Sequence, residues 1–179
     1  MYAKIFSIKN NLISPNPHQG VGGILSLGKK IHALTKKLFS GSLAIRVVTA
    51  GSTNACEQEL VALGNAFYDV ERFGVHFVAS PRHADMLIVT GPVSRNMKEA
   101  LIRTYEAMPE PKIVVALGDD AIDGGLFKGS YATEDGAAQV IPVHYQIPGD
   151  PPSPLEIMNS LLQILCDLDA PIRTKRIKP

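Results

Sequence analysis

Residues 43–67, LAIRVVTAGSTNACEQELVALGNAF, decide the fold. The first part, LAIRVVTA (43–50), is an apolar, β-branched run suited to a buried strand. A polar loop follows, and from Cys56 to Phe67 the residues Leu60, Leu63 and Phe67 recur at helical spacing. Strand, loop and helix then repeat downstream. VHFVA (75–79), MLIVTG (86–91), KIVVALG (112–118) and QVIPV (139–143) read as strands. RNMKEALIRTYEA (95–107) and SPLEIMNSLLQILCDL (153–168) read as helices, the second with Ser153 as N-cap and Pro154 and Glu156 in its first turn. Short apolar strands alternating with helices predict an α/β fold with a mainly parallel, doubly wound sheet.

Outward from this core the chain divides into three parts. Residues 1–42 comprise an irregular arm followed by an amphipathic helix over 23–41. In that helix Ile24, Leu27, Ile31, Leu34 and Leu38 share one side, and Lys29, Lys30, Lys36 and Lys37 fall largely on the other. Two readings stay open: a helix packed on its own domain with solvated lysines, or one touching a partner or an anionic membrane surface. Gly28 weakens the helix and Gly41 ends it. Residues 43–168 form the α/β domain, and 169–179 form a basic tail read as loose and solvated.

Composition narrows the function. The 179 residues hold 45% apolar and 20% charged residues with a net charge of +1, which argues against nucleic acid as a partner. Two cysteines make no disulfide framework and point to a reducing compartment. The start lacks the pattern of a signal peptide, and no apolar run reaches the roughly 18 residues of a membrane span. A soluble protein of the cytoplasm, one that can still sit against a membrane, is the expected setting.

In a doubly wound sheet, ligands bind beyond the carboxyl ends of the strands. Three loops there share Gly, Asp and Pro: TAGSTNAC (49–56), GDDAIDGG (118–125) and YQIPGDPPSP (145–154). Their marked residues are Thr53 and Cys56, then Asp120, then Asp150. A cysteine at a helix start is placed where thiol pKa values fall and where ligating or reactive cysteines occur. Glu57 and Glu59 most simply favour the helix N-terminus. Cys166 reads as a buried apolar residue. His144 and Tyr145 are too little for an acid–base constellation, and GDDAIDGG lacks the lysine of a P-loop.

The same loops carry a family resemblance. GSTNACEQEL, YDVERFGVHFVASPRHADMLIVTGPVSRNM, MPEPKIVVALGDDAIDGGLF and VIPVHYQIPGDPPSP resemble the B subunit of NADH–quinone oxidoreductase, respiratory complex I. The chain is most similar in character to the small subunit of membrane-bound, energy-converting [NiFe] hydrogenases and formate hydrogenlyases. The likeness runs from about Arg46 to Leu165 and implies a flavodoxin-like fold. It also implies three partners: a large catalytic-type subunit, a ferredoxin-like subunit and a membrane subunit. The family holds a [4Fe-4S] cluster on four cysteines, and carried over by position these fall on Thr53, Cys56, Asp120 and Asp150. Only Cys56 keeps its thiol. No cofactor is therefore expected, since soft thiolates are what such clusters require. The alternative is a labile cluster with non-cysteine ligands that still relays electrons to quinone or a hydrogenase centre. A third class, an enzyme or sensor using Asp120 and Asp150 with a divalent metal, lacks supporting motifs. In that vacated cavity, carboxylates hydrogen-bonded to loop N–H groups or water are favoured over a metal site. By the same resemblance Arg82 and His83 lie near the cluster and the large-subunit interface, and Met97 lies in the quinone-side loop. Interface or loop-ordering roles for the first two, and core filling for Met97, are the plainer readings.

Overall fold

A computed structural model describes residues 11–12 and 21–176, with side-chain surroundings over 23–170. In chain order the elements are β1 (Asn11–Leu12), α1 (Val21–Leu38), β2 (Leu43–Thr49), α2 (Ala55–Ala62), β3 (Val75–Phe77), β4 (Met86–Thr90), α3 (Arg95–Ala107), β5 (Ile113–Leu117), α4 (Asp119–Asp123), β6 (Tyr145–Ile147) and α5 (Pro154–Arg176). The strands form one sheet in the order β1-β6-β5-β4-β2-β3, and every pairing is parallel. From β2 the chain steps outward to β3, then crosses back to β4 on the other side of β2. Leaving aside the two-residue β1, this is the flavodoxin-like order, with its switch point between β2 and β4. All five residues of β4 and of β5 are buried, which is why those segments are continuous apolar runs rather than alternating ones.

Each face of the sheet carries its own core. On one face α1, α2 and α5 cover Leu43, Ile45, Ile88 and Val115. On the other, Leu87, Val89 and Val114 pack with Leu101 of α3 and Ala121 of α4. Each fully buried Leu or Ile contributes about 1.5–3 kcal/mol relative to its exposure.

Within α1, Ile24, Leu27 and Ile31 are buried, so its apolar stripe packs on its own domain as the first reading held. Gly28 has a packing reason: the Phe73 ring lies so close that a side-chain carbon at this position would overlap it. Helix α5 opens with a capping box, Ser153 N–H donating to Glu156 Oε2 at 2.7 Å and Glu156 N–H to Ser153 Oγ at 3.4 Å. It continues beyond the expected end near 168 to Arg176.

Three expectations need correction. The last strand is not QVIPV but Tyr145–Ile147. Pro142 lacks an N–H for a ladder, and Ala137–Gln139 coil into a short 3₁₀ turn. Pairing begins instead at His144, whose N–H donates to Val114 O at 2.9 Å while its Nδ1 accepts from Val114 N–H at 2.9 Å. Helix α2 stops at Ala62 rather than Phe67 because Asn65 Oδ1 accepts from the N–H groups of Phe67 and Tyr68 and turns the chain. Cys166 is exposed on α5 rather than buried.

Candidate functional site

Three loops meet at the carboxyl ends of β2, β5 and β6. The first leaves β2 through Gly51, in a positive-φ conformation (134°), and enters α2 at Asn54, which is left-handed (74°). Its hydrogen bonds centre on Glu57. Ser52 Oγ accepts from Asn54 N–H at 3.0 Å and donates to Glu57 Oε2 at 2.6 Å, and the buried Thr90 hydroxyl donates to Glu57 Oε1. Thr90 ends β4, so one carboxylate ties the first loop across the switch point. Around it the chain fills its own crevice: a side chain on Gly51 would meet Pro92 O at 2.6 Å, and one on Gly91 would overlap the Ser52 backbone. Sequence reasoning gave Glu57 only a helix-terminus role. The available signal was the pair of hydroxyls, Ser52 and Thr90, at the ends of adjacent strands.

The second and third loops are stitched to each other. Gly118 N–H donates to Ile147 O at 2.8 Å, Asp119 N–H to Gly149 O at 3.0 Å, and Gly149 N–H to Asp119 Oδ1 at 2.9 Å. Cys56 faces this seam, since a Cβ on Gly118 would lie 2.5 Å from its Sγ. Asp120 is buried.

The three positions are close enough to act on one another electrically. Burial, then the charges of Glu57, Asp150, Asp120 and Asp119, push the Cys56 thiol up to about 12. Burial and next the Asp150 charge raise Asp120 above the ordinary carboxylate range. The expected lowering of a helix-start thiol is thus overturned. Four carboxylates and burial outweigh the end of an eight-residue helix.

The fold therefore gathers Cys56, Asp120 and Asp150, whereas Thr53 is exposed on the first loop. Arg82 and His83 are exposed on the turn between β3 and β4, and no hydrogen bond or ion pair among the described residues joins either to that group. Met97 is half-buried in the first turn of α3 and packs on the second core, the core-filling alternative.

The donor set does not fit an iron–sulfur cluster. Of the four positions that the family resemblance marks, three present hard oxygen atoms and one a thiol. Among the described residues no group of three or more His, Cys, Asp or Glu is arranged to hold a metal ion. The Asp119 carboxylate takes the Gly149 N–H instead.

Residues 54–164 match the family model described as NADH ubiquinone oxidoreductase, 20 Kd subunit. The protein MJ0516 of Methanocaldococcus jannaschii is 43% identical over 146 residues, covering 81% of this chain and 97% of that one. Formate hydrogenlyase subunit 7 of Escherichia coli is 33% identical over 170 residues, covering 93% of this chain and 66% of the relative. Among solved structures, a chain of the membrane-bound sulfane sulfur reductase, an archaeal respiratory membrane complex, superposes with a TM-score of 0.65 at 33% identity. It covers 77% of this chain and 74% of that one.

Proposed function

We infer a role from one premise: the chain belongs to the NADH ubiquinone oxidoreductase 20 Kd subunit family. The role is that of a peripheral subunit in a membrane-bound complex I-like or hydrogenase-like assembly, structural rather than electron-carrying. One observation carries it. Scaffold loops that would cradle a cluster are intact and stitched together, yet Thr53, Asp120 and Asp150 stand where three thiolates belong.

Its partners are a large hydrogenase-like or complex I-like subunit, a ferredoxin-like subunit and a membrane subunit, on the cytoplasmic side. Two relatives support that setting by name, one a formate hydrogenlyase subunit and the other part of a respiratory membrane complex. Among the described residues no helix is long and apolar enough to cross a membrane, so attachment runs through partners or the membrane surface. Docking surface is available beside the site. Leu126, six residues after Asp120, is 89% exposed, and Tyr131 in the same loop is 87% exposed.

The test is anaerobic purification of the intact assembly, followed by identification of the neighbouring chains and iron and sulfide analysis of the separated subunit. Companion subunits of the stated kinds with no iron on this chain are expected. Stoichiometric iron and sulfide, or a signal in electron paramagnetic resonance assigned to this chain, would overturn the structural role.

A further inference from the structure

The charge of this chain is sharply segregated. Residues 1–38 carry six lysines and no acidic residue, and residues 171–179 carry four Lys or Arg and no acidic residue. The intervening residues 39–170 hold the other eight cations against all seventeen Asp and Glu. The near-zero net charge therefore hides a body of −9 flanked by segments totalling +10. A composition-level charge balance cannot show this.

The fold brings part of the two basic segments to one place. Helix α1 packs along α5, and Lys37 in its last turn forms an ion pair with the buried Asp169 of α5. Arg173 and Arg176 follow Asp169 at i+4 and i+7, the spacing that keeps residues on one helix face. Lys29, Lys30 and Lys36 are exposed, and none forms an ion pair among the described residues.

We propose that this α1–α5 edge is an electrostatic contact surface for an anionic phospholipid bilayer. The choice of a membrane over another polyanion rests on the peripheral-subunit reading. The mode of contact rests on packing alone. Ile24, Leu27 and Ile31 are already buried in the domain, and of the large apolar side chains described on α1 Leu25 alone is exposed, too little for an inserting face. Contact is by lysine and arginine at headgroup level, reversible, and lost when salt shortens the screening length. The acidic body, including Asp119 and Asp150, is repelled by the same surface, which orients the subunit with that edge toward the bilayer.

The full chain would be sedimented with phosphatidylcholine vesicles, with and without roughly 30% phosphatidylglycerol, at about 20 and 300 mM salt. Binding is expected only to the anionic vesicles at low salt. A K29E/K30E/K36E variant should bind more than about tenfold more weakly, and R173Q/R176Q about threefold more weakly, both with unchanged circular dichroism. Equal binding to neutral vesicles, undiminished binding by both variants, or tighter binding to a nucleic-acid duplex at the same salt would each overturn the proposal. Co-purification of the K29E/K30E/K36E variant with its assembly separates the two readings. If vesicle binding is lost and assembly retained, this surface is confirmed independently of docking. If the parent chain binds vesicles yet joins no assembly, the subunit role fails alone.

Discussion

Asp119 and Gly149 exchange two hydrogen bonds, from Asp119 N–H to Gly149 O at 3.0 Å and from Gly149 N–H to Asp119 Oδ1 at 2.9 Å. The pair locks the loop after β5 to the turn before α5, on the side facing Cys56. Asp119→Ala removes one of the two bonds and should cost about 1 kcal/mol in urea denaturation. Asp119→Asn, which keeps an acceptor oxygen, should recover most of the loss. Equal stability of all three proteins would mean the seam contributes nothing.

If the loops keep their cradle geometry, thiolates returned to it should gather metal. The variant T53C/D120C/D150C, incubated anaerobically with iron and sulfide, is expected to take up about four irons and turn brown. The parent protein, treated alike, should stay colourless after desalting. A colourless triple variant that folds normally would show that the loops have drifted from the arrangement a cluster needs.

The two cysteines should differ sharply toward iodoacetamide. Cys166 is exposed, whereas Cys56 is buried with its thiol pushed up to about 12, so little thiolate is present at pH 8. Mass spectrometry of peptides should find Cys166 labelled first and Cys56 at least about 100-fold more slowly. In the D120N/D150N variant two of the charges that raise the thiol are gone, and Cys56 should react faster. Comparable labelling of both cysteines in the parent would contradict the described burial.

Packing of Phe73 on Gly28 makes that glycine a steric requirement despite its poor helix propensity. Gly28→Ala should destabilise by about 1–3 kcal/mol, opposite to what propensity alone predicts. Adding Phe73→Leu should return part of the loss in a double-mutant cycle. A stabilised Gly28→Ala protein would count against this contact.

His144 gives a pH signature. Its Nδ1 accepts the Val114 N–H inside the sheet, and burial holds its pKa below the ordinary 6.5. The unfolded chain then binds the proton first. The stabilisation is complete above about pH 6.5 and is lost as pH falls through that value toward the lower folded pKa. Chemical denaturation from pH 8 to 4 should show that loss, and His144→Gln should flatten it. An unchanged slope in the variant would assign the acid sensitivity to other groups.

Much of this was legible in the sequence. Apolar β-branched runs alternating with 3.6-period helices fix a parallel, two-layered arrangement, because strands buried on both faces must be apolar throughout. Helix α3 was placed at its observed bounds for the same reason, with Ser94 capping it. The family resemblance marked which four positions to compare.

Tertiary structure decided the remainder, since each of these features depends on contacts between segments far apart in the chain. Where the last strand lies depends on His144 meeting Val114, a pairing no local period encodes. That Glu57 spans the switch point depends on Thr90, thirty-three residues away. The thiol of Cys56 looked acidified from its place at a helix start. Burial in the fold, then the charges of Glu57, Asp150, Asp120 and Asp119, reversed the sign, and the three aspartates come from loops after two other strands. Sequence determined the layers and marked the loops; the fold decided what their residues do to one another, because charge and burial act through space.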